Sequence, residues 1–171
     1  VKLEADIPHE IAALFGCAVL TGVGAAVNTA KVRAGETVAV VGLGGVGLSA
    51  LLGAAACGAS RVIAVDLSDE TLDLAYQITR RGGTTTTAGL ANPAHTLSLA
   101  PVRLVGEERT LKGSYVGSCI PVRDIPRFVD LYLRGKLPVD RLMTSQSGLD
   151  GINEGFDALN EGRTIRHVIM M

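Results

Sequence analysis

The chain has 171 residues, enough for one full-size domain. Sixteen Lys and Arg against 17 Asp and Glu leave a net charge of −1, so no field draws in nucleic acid or an anionic membrane. Apolar residues at 47% and charged ones at 19% exclude a disordered chain, and 21 glycines with no Trp predict a core of Ala, Val, Leu and Ile with many close backbone approaches. Cys17, Cys57 and Cys119 are far apart with no Cys-x-x-Cys pair, which argues against a disulfide framework or zinc knuckle and for a reducing cytoplasm. The uncharged stretches 11–30 and 37–60 are long enough to span a bilayer. The first, though, breaks at Gly16 into two short helices, and the second is a strand, a glycine cluster and a helix too short to cross. Lys2 is offset by Glu4 and Asp6, against a signal peptide.

In chain order, Asp6 reads as a helix cap, with Pro8 in the first turn before Ile11-Ala12-Ala13-Leu14-Phe15-Gly16, and a second helix is expected over 21–31. Thr37–Val41 is an uninterrupted apolar run, expected to be a strand buried on both faces of a parallel sheet. Gly42–Gly47 makes a turn into an Ala/Leu-rich helix ending at Gly58, and Arg61–Asp66 reads as a second buried strand. Ser68 is expected to cap a helix with Asp69 and Glu70 in its first turn, Arg80 and Arg81 in its last, and Gly82-Gly83 as its stop. Thr84–Leu90 is a third strand, His95–Leu99 an edge strand, and Lys112–Val116 another strand, while Glu107-Glu108-Arg109 reads as a solvated turn. A helix follows Pro126, residues 141–147 suit a short strand, Ile152, Phe156 and Leu159 line a helix, and Thr164–Met170 is a closing strand. This alternation is α/β with a mainly parallel sheet: a helical segment over 1–34 leads into a domain over 35–171.

Gly42-Leu43-Gly44-Gly45-Val46-Gly47 fits the pattern G-x-G-x-x-G between a strand and a helix, and Asp66 ends the next strand 19 residues beyond Gly47. Gly42 permits the tight turn, Gly44 lets a pyrophosphate approach the backbone, and Gly47 lets the helix pack on the strand. The helix N-terminus offers free N–H groups and positive potential to phosphates. The Asp66 carboxylate can accept both ribose hydroxyls and would repel a 2′-phosphate, so the expected ligand is NAD rather than NADP. A glycine turn that binds nothing is the plainer alternative; the strand, helix and acid around it weigh against that.

These residues, with Gly16-Cys17, Thr21-Gly22-Val23-Gly24-Ala25-Ala26, Arg81-Gly82-Gly83, Ala88-Gly89-Leu90, Leu111-Lys112-Gly113-Ser114, Ile152-Asn153-Glu154-Gly155-Phe156 and Gly162-Arg163-Thr164-Ile165-Arg166, resemble the coenzyme domain of zinc-dependent medium-chain alcohol dehydrogenases over nearly the whole chain. The resemblance implies a Rossmann-like fold, NAD, and hydride transfer between an alcohol and its aldehyde beside a zinc. It implies that Thr21 and Val46 face the nicotinamide, that Gly42, Gly44, Gly45 and Gly47 hold the pyrophosphate and that Asp66 holds the ribose. The backbone at Ala88, Gly89 and Leu90 and at Ser114–Val116 would take the carboxamide side, and Arg166 would reach a phosphate. Cys17, by itself a small core residue, would be a zinc ligand, and the segment around Leu97–Leu99 would pair with its copy in a homodimer.

The remaining zinc ligands belong to a family domain with no counterpart in this sequence, so zinc is expected only if they come from elsewhere. Only residues 67–83 separate Asp66 from the next strand, where the family has two more strands with their helices. A right-handed crossover would bring that strand beside the first, in a sheet with fewer strands than the full doubly wound fold. Three readings follow: the NAD-binding part of an alcohol dehydrogenase, a non-catalytic NAD-binding or dimerising module, or an inactive deletion product.

Overall fold

The computed structural model describes residues 1–3, 6–66, 71–90, 92–94 and 96–171. The helices are α1 (His9–Leu14), α2 (Ala18–Gly24, carried on by a wider π turn over Ala25–Ala30), α3 (Gly45–Ala56), α4 (Thr71–Ile78), α5 (Pro101–Gly106), α6 (Pro121–Leu133) and α7 (Ile152–Asn160). The strands are β1 (Thr37–Val41), β2 (Arg61–Val65), β3 (Thr84–Thr87), β4 (Thr110–Gly113), β5 (Met143–Ser147) and β6 (Arg166–Ile169). Every ladder is parallel: β1 pairs β2, β3 pairs β4 and β5 pairs β6. Each pair encloses one helix, so the chain is three successive βαβ units. The α/β class and the parallel pairing are as the sequence predicts.

The expected single sheet is not. Among the described residues no ladder joins β1 to β3, and the strands form three two-stranded pieces. For that reason β1 and β2 are not buried on both faces: of β1 only Val40 is buried, and Ile63 of β2 is 44% exposed. An apolar run reports that a strand can be covered, whereas the cover comes from neighbours elsewhere in the chain. The edge strand expected at 95–99 is also absent from the described part: His95 lies outside the described residues, and 96–100, between Pro93 and Pro101, join no ladder. The Ser68 cap with Asp69 and Glu70 lies outside the described residues as well.

Helix boundaries differ from the expectation at two prolines and at the start of α2. Pro8, not Asp6, occupies the cap of α1, and α2 begins at Ala18 rather than at Thr21. The last long helix starts at Pro121, whose missing N–H costs nothing at a first helical position, and runs through Pro126. Asp124 supports this start by accepting the Ile120 N–H at 2.8 Å. Ile152, Phe156 and Leu159 do share α7, yet Phe156 is 62% exposed.

The main core gathers Phe15, Val19, Leu20 and Val23 from the helical segment with Phe128 of α6 and Val168 of β6. Phe15 meets Tyr132 edge to face with ring centres 6.4 Å apart. Against its other side α2 takes α3 almost backbone to backbone. A Cβ on Gly22 would overlap the Val46 carbonyl and stand 2.6 Å from Ser49 Cβ, so only glycine admits this approach. The fully buried Ser49 hides its polarity by donating to Gly45 O at 2.6 Å. The close approaches that the glycine content predicts are therefore concentrated where the helical segment grips the glycine turn. Among the described residues no helix is long and apolar enough to cross a membrane.

Candidate functional site

β1 ends at Val41, and the chain reverses through Gly42 at φ +90°, a left-handed conformation that favours glycine. The Gly42 N–H donates to Val65 O at 2.7 Å, which ties the turn to the end of β2. Gly47 sits against Gly42: a Cβ there would overlap the Gly42 carbonyl oxygen and lie 2.8 Å from its carbon. Gly44 is the opposite case. It caps α3 in extended backbone (φ −66°, ψ −178°), and nothing lies within 4 Å of its Cβ position. The first intrahelical bond of α3 runs from Leu48 N–H to Gly44 O at 2.9 Å, so the amides of Gly45, Val46 and Gly47 have no acceptor within the helix. The result is a half-buried N-terminus on a 12-residue helix, open at Gly44.

Two charged side chains border this turn. Asp66 follows β2, exposed, and its Oδ2 accepts the Leu43 N–H at 3.0 Å, while its other carboxylate oxygen has no hydrogen-bond partner among the described residues. Arg166 arrives from β6 and lays its guanidinium on Gly45, where a Cβ would be 2.5 Å from Nη2 and 2.6 Å from Nε. Among the described residues Arg166 forms no salt bridge. A guanidinium is thus held beside the positive end of a helix dipole, an arrangement suited to a strongly anionic group.

The residues assigned to a nicotinamide side are linked through α2. Gly22, next to Thr21, presses on Val46 at the start of α3, and a Cβ on Gly117 would lie 2.8 Å from Thr21 O. Val116, Gly117 and Ser118 are all left-handed (φ +48°, +68° and +50°), a strained run for a β-branched residue, held by its contact with α2. Ser114 joins this band to the end of β3: its N–H donates to Thr87 O at 2.8 Å and its hydroxyl lies 2.8 Å from Thr29 Oγ1. Thr21, Val46, Ser114, Val116 and, next to Thr87, Ala88 therefore form one connected group that meets the glycine turn at Val46. Gly89 and Leu90 stand apart, with Leu90 87% exposed and the Cβ position of Gly89 open.

No zinc centre comes together. Cys17 is an exposed free thiol at the residue before α2, and among the described residues no three His, Cys, Asp or Glu side chains are placed to hold a metal ion. The described residues by themselves do not make up a zinc site. Cys119 is half-buried, and its Sγ accepts from Asn28 Nδ2 at 3.3 Å. Burial, reinforced by the charge of Asp124, pushes its pKa up to about 11. The Cys57 thiol is raised by burial too.

One residue escaped the sequence reading altogether. Arg109, assigned to a solvated turn, has a side chain only 7% exposed. Its guanidinium donates to the carbonyls of Tyr76 and Gln77 at the end of α4, lies 5.2 Å from the centre of the Tyr76 ring and pairs with Glu107 at 2.6 Å. It locks the shortened α4 onto the β3–α5–β4 unit. Tyr76, an aromatic on the apolar face of α4 in a chain short of aromatics, was the one available signal for such a partner.

Three parallel βαβ units, the first turning through a glycine motif at the N-terminus of its helix, define an α/β protein of the Rossmann-like class. No protein-family model matches the chain. A putative alcohol dehydrogenase D of Mycobacterium tuberculosis is 33% identical over 217 residues, covering 99% of this chain and 59% of that protein. An NDMA-dependent alcohol dehydrogenase of Amycolatopsis methanolica is 34% identical over 217 residues, with 99% and 58% covered. Among solved structures, benzyl alcohol dehydrogenase from Acinetobacter calcoaceticus superposes with a TM-score of 0.85 at 29% identity, over 99% of this chain and 59% of that one. An alcohol dehydrogenase zinc-binding domain protein from Burkholderia ambifaria shares the fold with a TM-score of 0.88 at 24% identity, over 100% and 58%.

The chain is similar to these alcohol dehydrogenases over nearly its whole length, while it spans less than three fifths of theirs. Its 171 residues align across 217, so at least 46 positions of the relative have no counterpart within the match. That internal shortening agrees with the brief connection between Asp66 and β3.

Proposed function

We propose that this chain is the NAD-binding part of an alcohol dehydrogenase, and that the glycine turn takes the dinucleotide diphosphate. The observation that carries this reading is the convergence of Arg166, which forms no salt bridge among the described residues, with the open N-terminus of α3, since two positive features side by side call for an anion. The free face of Gly44 gives a diphosphate oxygen room to reach the first-turn amides. Asp66 would accept the adenosine ribose hydroxyls through the oxygen that Leu43 leaves free, and its charge disfavours a 2′-phosphate. Thr21, Val46, Ala88, Gly89, Leu90, Ser114 and Val116 would line the nicotinamide side.

NAD, when bound, supplies the acceptor for a hydride from the carbinol carbon of an alcohol. This chain's residues bind and orient it; no step is assigned to zinc, because Cys17 is without companion ligands among the described residues. The second reading is a module that binds NAD without turnover.

Calorimetric titration with NADH and NADPH, on the unsubstituted chain and on Asp66→Ala, tests both readings. The proposal expects NADH to bind, NADPH to bind much more weakly, and Asp66→Ala to weaken NADH and narrow that difference. A chain that melts cooperatively and takes up neither dinucleotide would overturn it. Turnover of alcohols by the chain with NAD would remove the second reading.

A further inference from the structure

β5 and β6 are joined by hydroxyls as much as by their ladder. The register slips between Met143, opposite Arg166, and Ser145, opposite His167, so Thr144 is the bulged residue facing the Arg166–His167 peptide. Its Oγ1 accepts the Ile165 N–H at 2.8 Å and the Arg166 N–H at 3.4 Å, in place of the interrupted ladder bonds. From there a chain of contacts runs through Thr164 Oγ1 (2.6 Å) and Ser145 Oγ (2.7 Å) to His167 Nδ1 (2.7 Å). On the far side of the ring, His167 Nε2 lies 2.8 Å from Ser147 Oγ, which donates to Gly148 O at 2.9 Å.

The directions follow from proton counting. With the Ser147 proton assigned to Gly148 O, Ser147 accepts from His167, and Nε2 carries the hydrogen. Nδ1 is then bare and accepts from Ser145, which accepts from Thr164, which accepts from Thr144. In this assignment every hydroxyl donates once, Thr144 to Thr164 at 2.6 Å in preference to the longer contact with Arg166 O at 3.5 Å, and Thr144 accepts the backbone amides. Gly155 of α7 leaves room for the ring: a Cβ there would stand 2.5 Å from His167 Cδ2. Neighbouring strand residues face opposite ways, so pinning His167 on one face fixes the direction of Arg166 on the other.

We infer that Thr144 and His167 are positioning residues for Arg166, and that the bulge with its hydroxyl chain aims the guanidinium at the diphosphate site. This rests on the NAD reading above. The test is NADH titration of Thr144→Val, Thr144→Ser, His167→Phe, Arg166→Gln and the double variant Thr144→Val/Arg166→Gln, each with a melting curve. Thr144 is exposed, so the valine is tolerated sterically.

The expected results are NADH binding about tenfold weaker in Thr144→Val and in His167→Phe, restored binding in Thr144→Ser, and no further loss when valine is added to Arg166→Gln. Equal losses from Thr144→Val in both backgrounds would mean that it acts independently of Arg166 and would overturn the inference alone. Failure of the unsubstituted chain to bind NADH would overturn the NAD reading and this inference with it.

Discussion

Two glycines three positions apart in the same turn make opposite predictions. At Gly44 the backbone is one any residue adopts, and an added methyl enters open space. Gly44→Ala therefore leaves the fold intact and stabilises it by about 0.4–1 kcal/mol through the unfolded chain. With a dinucleotide present, that methyl stands where a diphosphate oxygen must come within hydrogen-bond reach of the first-turn amides. Losing one or two charge-assisted bonds of about 1.5–3 kcal/mol each, with partial readjustment, predicts about 2–4 kcal/mol, or roughly 30- to 1000-fold weaker NADH binding. At Gly47 a methyl overlaps the Gly42 carbonyl oxygen, and both groups are backbone, so α3 must move off the turn. Overpacking of this kind costs about 1–3 kcal/mol or more, which for a chain of this size lowers Tm by roughly 3–10 °C. Thermal melts and NADH calorimetry on the two variants separate the roles. A Gly44→Ala chain with unchanged melting and unchanged NADH affinity would refute the approach of phosphate to this glycine.

Replacing Arg109 with leucine removes the cap on α4, the contact with the Tyr76 ring and the partner of Glu107, and should lower stability by about 2–4 kcal/mol in a urea titration; a change under half that would mean α4 is held by its apolar face alone. Iodoacetamide at neutral pH should label the exposed Cys17 first and leave Cys119, whose pKa is pushed to about 11, unmodified until denaturant is added, as mass mapping of tryptic peptides would show. Hydrogen bonds from Arg123, opposed by burial, hold the Asp124 carboxyl below its usual value near 3.8, so its ionised form adds stability above that pH and loses it as the pH falls toward the folded-state value. The stability gap between the unsubstituted chain and Asp124→Asn should accordingly be flat from pH 5 to 8 and close in acid; a gap that widens in acid would reverse the assigned sign.

The first βαβ unit was legible almost to the residue, because everything that makes it is local: an apolar run, glycines where the chain must turn tightly, and an alanine-rich helix stopped at Gly58. Asp66 was legible for the same reason, by its distance from the turn. The exposure of β1 and β2 was not, since a strand's own residues cannot tell whether a neighbour will cover them. Arg166 reached the turn through resemblance to a family, as no periodicity relates it to Gly45, 121 positions earlier. Arg109 was misread because a Glu-Glu-Arg cluster looks the same whether its guanidinium is solvated or folded back on an aromatic ring. The left-handed run at 116–118 was also hidden, because Val116 is a residue type that argues for a strand and is forced out of one by contact with α2.

The division of the sheet bears differently on the two halves of the site. In a doubly wound sheet the first strand lies between the second and a strand from later in the chain, and the crevice opens beside it. Here β1 has β2 as its only described partner, and β3 pairs with β4 instead. The Gly42–Gly47 turn and Asp66 nevertheless belong to a single βαβ unit, closed by the Gly42–Val65 and Leu43–Asp66 hydrogen bonds, so their geometry does not depend on the lost neighbours. Thr21, Ser114, Val116 and Arg166 come from three other parts of the chain, and no shared ladder holds them in place. What brings the first three together is α2, which meets α3 through Gly22 and the 114–118 segment through Gly24 and Thr29. Two-stranded parallel pieces have little stability of their own. Loosening α2 should therefore disperse the proposed nicotinamide side well before it disturbs the glycine turn, which would make the proposed adenosine end the more robust half.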